Sequence, residues 1–269
     1  MIKQFLTLIP PVIMPLTGSL MAATSVTYNF ESSASEDLFE GGGVPGWSQD
    51  IPNPTAFGQT FPLAYIATTD FGGGASLTAH LGTQFANTPD NADTVLTGDL
   101  SSLSFYNTMS LSFNLAIVDD SADSFEGRDA FSVGLVNSAG SHIVTIGFTP
   151  VDGDNESWDL TVGTNGSTIA TLYQVAANSA YGFFIDSDTT GTDFRFGPAG
   201  GNQVTIDTLG AVGTLNTITG IAFEHDPLSS AGTSANTMIF DEVVVQIPEP
   251  SSSFLMVLSA GLVAIRRRR

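Results

Sequence analysis

From Leu103 to Ile117 the odd positions read Leu103, Phe105, Asn107, Met109, Leu111, Phe113, Leu115 and Ile117, while the even ones are mostly Ser, Thr or Asn. A period of two puts one set of side chains on a buried face and the other in water, so the stretch predicts one long strand, or two joined near Asn107. The same alternation recurs in Phe131, Val133, Leu135 and in His142, Val144, Ile146, Phe148. Further strands are expected at 26–30, 63–67, 75–81, 181–186, 194–196, 204–207, 218–223 and 238–245. No stretch of the body shows helical spacing of comparable length.

Turn chemistry separates these segments. Asn137 to Gly140, Asp152 to Asn155, Asn165-Gly166 and Pro198 to Asn202 punctuate the chain as an antiparallel meander would. Asn165-Gly166 is the best single hairpin and should join Trp158–Val162 to Ile169–Tyr173. The Gly- and Pro-rich segment 40–62 reads as the longest loop. About a dozen strands without repeats predict an all-β body, an antiparallel two-sheet β-sandwich of the jelly-roll kind. The opening Tyr28-Asn29-Phe30-Glu31 and the closing run Ile239 to Val245 are similar to the first and last strands of concanavalin- and laminin-G-like sandwiches.

Composition narrows the classes. The chain has 269 residues, 19 of them Phe, with 42% hydrophobic residues and only 13% charged, enough apolar area to build a core and unlike a disordered chain. It has 27 acids, 7 bases and no cysteine. Lys3 and the run Arg266, Arg267, Arg268, Arg269 lie at the ends, leaving Arg128 and Arg195 in the middle. Residues 24–246 therefore carry every acid except Glu249, 26 against 2 bases, a net charge of about −24. Such a surface repels phosphate backbones, which argues against nucleic acid as a partner. The lack of cysteine excludes thiol catalysis, thiolate metal sites and disulfide staples.

Residues 1–23 read as a signal peptide: Lys3, an apolar stretch from Phe5 to Met21, and small residues at Ala22 and Ala23. The competing reading, a helix of the domain, is disfavoured by Pro10, Pro11 and Pro15. Residues 247–269 hold Pro248, Glu249 and Pro250, an apolar run 254–265, and four terminal arginines. The 12-residue run is roughly 18 Å long as a short hydrophobic helix, less than a bilayer core of about 30 Å, and the arginines would hold it at the cytoplasmic side. This segment resembles the PEP-CTERM sorting signal of bacterial exported proteins. The resemblance implies export, transient membrane association, removal of the tail by an exosortase-type processing protease near Pro248-Glu249-Pro250, and a setting of extracellular polysaccharide. A permanent tail anchor or a terminal amphipathic helix is the alternative.

Little catalytic chemistry is legible. The Glu-x-Asp-x-x-Glu strand of retaining glycosidases on such sandwiches is absent; Asp119, Asp120, Asp123 and Glu126 come nearest and read as a solvated loop. There is no Gly-x-Ser-x-Gly elbow, and His142, placed among core residues, reads as a packed strand residue. Acids do cluster in loops. Asp152, Asp154, Glu156 and Asp159 occupy positions 1, 3, 5 and 8 of one; Asp186, Asp188, Thr190 and Asp193 occupy the same positions of another. Alternating oxygens of this kind can wrap Ca2+, although Gly163 and Gly197 replace the bidentate Glu of an EF-hand, and a solvated loop is the competing reading. By analogy with jelly-roll modules, a third candidate cation site lies where the first and last strands meet, using Glu31 and Asp241. Among the aromatics that could stack on a sugar ring, Trp47, in the Gly/Pro-rich segment, is the best candidate for exposure, with core packing as the competing reading. The sequence thus points to an exported, non-catalytic surface or matrix protein, with a lectin-like carbohydrate-binding module and a polysaccharide hydrolase as alternatives.

Overall fold

The computed structural model describes residues 24–33, 39, 43–50, 64–70, 75–82, 94–103, 107–119, 128–151, 157–226 and 236–247. The strands are β1 (Thr24–Tyr28), β2 (Trp47–Asp50), β3 (Ala64–Asp70), β4 (Ala75–Gly82), β5 (Thr94–Asp99), β6 (Met109–Asp119), β7 (Ala130–Asn137) and β8 (His142–Pro150). They continue with β9 (Ser157–Thr164), β10 (Ser167–Ala176), β11 (Ala180–Ser187), β12 (Gly191–Pro198), β13 (Val204–Gly210), β14 (Ile218–Asp226) and β15 (Asn236–Ile247). Among the described residues the helix is a single 3-10 turn, Leu215–Thr217.

All pairings are antiparallel and form two sheets. One runs β13-β12-β11-β6-β15-β4-β3, with β1 also on β15; the other runs β10-β9-β8-β7-β14-β5-β2. The protein is an antiparallel two-sheet β-sandwich. In β6, Met109, Leu111, Phe113, Leu115 and Ile117 all point inward, the period of two made physical. The sheets meet through stacked aromatics: Phe223 of β14 lies on Phe240 of β15 at 3.7 Å between centroids, and Phe183 of β11 meets Phe148 of β8 edge-on at 5.5 Å.

The Asn165-Gly166 hairpin forms between β9 and β10, with φ of 51° and 76°, both in the left-handed region that a two-residue turn of this hand requires. Other expectations are corrected. Of the stretch read as one long strand or two joined near Asn107, β6 begins at Met109 and Phe105 lies outside the described residues; Leu103 sits in a turn in which its N–H donates to the Leu100 carbonyl, and it reaches the core from there. Phe30, placed at the end of the first strand, adopts φ 52° and closes a turn with Ser33. Two strands were not foreseen: β2, inside the presumed loop, and β5. Both are short, and they hold their place by pairing with each other and, for β5, with β14, a long-range contact that local pattern does not carry.

Candidate functional site

The outer face of the seven-stranded sheet carries a connected polar group. The β7–β8 register slips between Leu135 and Val136, and this bulge turns His142 out of the core face on which strict alternation would leave it. His142 Nδ1 then lies 2.7 Å from Thr145 Oγ1, and its Nε2 lies 2.7 Å from Glu224 Oε1. Ser132 Oγ donates to the other carboxylate oxygen at 2.8 Å. Partial burial pushes the Glu224 carboxyl up, but the hydrogen bond and charge of His142, with the Ser132 hydroxyl, outweigh it and hold it below the ordinary value.

Glycines shape this face. A Cβ on Gly134 would come within 2.6 Å of both His142 Nδ1 and the Val144 carbonyl, and one on Gly147 within 2.5 Å of Thr161 Oγ1. The imidazole and the threonine hydroxyl therefore lie over strands that carry no side chain there. The result is a shallow surface of hydroxyls, an imidazole and one ionised carboxylate, suited to hydrogen-bonding a polyhydroxylated ligand. A carboxylate held below its ordinary value is a poor general acid near neutrality.

At one end of the sandwich a buried network joins the sheets. Arg128, just before β7, pairs with Asp119 at the end of β6 at 2.5 Å, both nearly inaccessible, and its guanidinium stands over Trp158 at 5.3 Å from the ring centroid. Trp158 Nε1 donates to the Asp129 carbonyl, and the Asp129 carboxylate meets His225 Nε2 at 2.9 Å. Asn236, opening β15, donates to Asp119. Asp119, assigned above to a solvated loop, is thus a buried strand-end residue; Asp120, Asp123 and Glu126 lie outside the described residues.

The acids of the second loop do not converge. Asp186 accepts from Ser110 Oγ at 2.7 Å and pairs with Arg195, which also donates to Gln203. Asp188 Oδ1 accepts from the Thr190 N–H, the Thr190 hydroxyl and the Gly191 N–H, bonds that cap the β11–β12 turn and hold its carboxyl below the ordinary value. Asp193 accepts from Thr208 Oγ1. Of the first loop, Asp152, Asp154 and Glu156 lie outside the described residues, and Asp159 accepts from Gln174 across to β10. Among the described residues no three His, Cys, Asp or Glu side chains are grouped to hold a metal ion.

Glu31 and Asp241 do come together. Glu31 Oε1 accepts from the Leu77 N–H and Asp241 Oδ2 from Ser76 Oγ, both on β4. Burial, reinforced by the charges of Glu242 and Glu31, pushes the Asp241 carboxyl up to about 6. Its Oδ1 is buried without a hydrogen-bond partner among the described residues.

Trp47 is corrected. It is only 5% exposed, enclosed by Tyr28, Phe30, Phe39, Phe223 and Phe240 at 4.9 to 5.9 Å, because β2 pairs with β5 and turns the indole inward. It borders an open cleft of about 330 Å³ with Gly46, Ser48, Thr97, Asp99 and Thr219, but its ring faces are already packed and give a sugar no stacking surface. Pro248, Glu249, Pro250 and Arg266 to Arg269 lie outside the described residues. Sequence reasoning missed Glu224 and Ser132 altogether; each looks like an ordinary outward strand residue, and only the strand order β8-β7-β14 sets them beside His142.

The fold and this surface define a two-sheet antiparallel sandwich protein with a polar, glycine-floored sheet face. Similar solved structures include a peanut lectin with a nine-residue peptide, 12% identical, covering 84% of this chain and 98% of the lectin, TM-score 0.49. Others are lectin II from Ulex europaeus (10% identical, 83% and 99% covered, TM-score 0.47) and a GH131 beta-glucanase catalytic domain from Podospora anserina (12% identical, 69% and 79% covered, TM-score 0.48). These are likenesses of chain path. No protein-family model matches the chain, and no curated protein matches it.

Proposed function

We propose that the chain is an exported, non-catalytic surface or matrix protein, sorted and trimmed through its C-terminal segment by an exosortase-type protease, whose sandwich associates with extracellular polysaccharide. The observation that carries this reading is the order of three features at the C-terminus: Pro248-Glu249-Pro250, the apolar run 254–265, and Arg266 to Arg269. A run too short to hold firmly in a bilayer and a cationic stop suit a temporary anchor. Intact mass of the secreted protein tests it. The expected product lacks both residues 1–23 and the segment 254–269; a secreted product that retains 254–269 would sink the sorting reading.

A lectin-like reading of the same body is favoured by the Glu224 surface, where an ionised carboxylate, an imidazole and hydroxyls stand ready for sugar hydroxyls. Binding to a glycan array that Glu224→Gln abolishes without loss of the thermal midpoint would establish it. Binding that survives both Glu224→Gln and Ser132→Ala would place the contact elsewhere.

A further inference from the structure

Among the described residues the large hydrophobic side chains left exposed are three: Ile169, Leu172 and Val204, at 42%, 100% and 47% of their full accessibility. All lie on β10 or β13, which end the two sheets at the same side of the sandwich and touch each other there. Ile169 is paired with buried Val162 and Val204 with buried Phe196, so both belong to the core-facing rows. They are exposed because, among the described residues, no further strand roofs this side of the sandwich.

Leu172 is held out by construction. The β9–β10 register slips between Ala170 and Gln174, and Thr171 Oγ1 fastens the bulge by donating to the Leu160 carbonyl at 2.8 Å and accepting from the Tyr173 N–H. Tyr173 then packs edge-on against Phe196 at 5.5 Å. With both neighbours tied down, the leucine between them is presented to solvent.

Charge selects the occupant. The chain carries a net −20, yet the ten residues of β10, Ser167 to Ala176, contain no charged side chain, and β13 contains only Asp207. Edge strands are ordinarily blunted by charge or proline, and β10 has neither. Two acidic bodies repel each other over most of their surfaces, but here, where Asp207 is the one charge on the two strands, they can approach at little such cost, and an apolar strip is complementary to itself. We propose that the β10/β13 edge is a self-association surface, through which a second copy of this chain closes the open side of the sandwich in a two-fold contact that buries Ile169, Leu172 and Val204.

Sedimentation velocity of the purified full chain in mild detergent, as wild type and as Leu172→Asp, tests this. The wild type is expected to form a dimer at micromolar concentration, and Leu172→Asp to weaken it at least tenfold with the thermal midpoint unchanged, since a fully exposed side chain supports nothing in the fold. Added NaCl should strengthen the dimer by screening the two acidic bodies. The chain has no cysteine, so Leu172→Cys provides a single thiol, which should cross-link copies on mild oxidation while Ser48→Cys, on β2 at the far edge, should not. A wild type that stays monomeric at 100-fold higher concentration would overturn the proposal. So would a dimer indifferent to Leu172→Asp, one that loosens with salt, or equal cross-linking by both cysteines.

Discussion

Asp241 shows how one residue can set the acid–base behaviour of a fold. Its carboxyl rises from 3.8 to about 6 on folding, so the folded chain holds the proton more tightly than the unfolded one. The stability this provides is complete below about pH 4 and is lost as pH rises through 6. Asp241→Asn should therefore change little at pH 4 and stabilise the protein by about 1–2 kcal/mol at pH 8, read from urea midpoints at the two pH values. His80 titrates in the opposite sense. Burial lowers it from 6.5 to about 4, so its contribution is present above 6.5 and lost as pH falls toward 4; the variant isolates the carboxyl from this background. Asp188 provides a second test at this scale. Its three hydrogen bonds cap a turn, so Asp188→Ala should lower the thermal midpoint by the same amount with and without Ca2+. A loss seen only in Ca2+ would return the metal reading to this loop.

At the scale of elements, the β9–β10 hairpin was legible because Asn-Gly can adopt two successive positive φ angles at little steric cost. Gly166 has open space around its absent Cβ, so Gly166→Ala is a test of backbone conformation alone and should cost about 1 kcal/mol in chemical denaturation. Bulges are what the pattern concealed. The slip in β8 turns His142 outward, the slip in β10 presents Leu172, and the slip in β15 leaves Glu242 at φ 52° beside Asp241. Each adds one or more residues to one strand against its partner, and which strand is the partner is a long-range fact.

Over the whole molecule, Thr24 pairs with Ile247, so the two ends of the body leave it at one corner. The Arg128 network lies at the other end of β15, roughly 35 Å away at about 3.3 Å per residue. Under the proposed anchoring, that end and its strand termini face away from the membrane. Arg128 reaches from the β7 side to Asp119 of the opposite sheet, tying the two layers at that end. Arg128→Met strips a buried carboxylate of its cation and should cost about 3–5 kcal/mol in urea unfolding, whereas adding Asp119→Leu should recover most of the loss.

The sequence by itself determined the all-β class, the inward faces of β6 and β7, the Asn-Gly hairpin and the acidic surface, because each follows from a period of two, a turn dipeptide or a count of charges. Tertiary structure alone decided that Trp47 is core, that Asp119 is buried beside Arg128, that the acids of 186–193 take separate partners, and that Glu224, His142 and Ser132 adjoin. Those outcomes depend on which strands lie side by side. Strand order is set by burial summed over both sheets, and no local window of the chain records it.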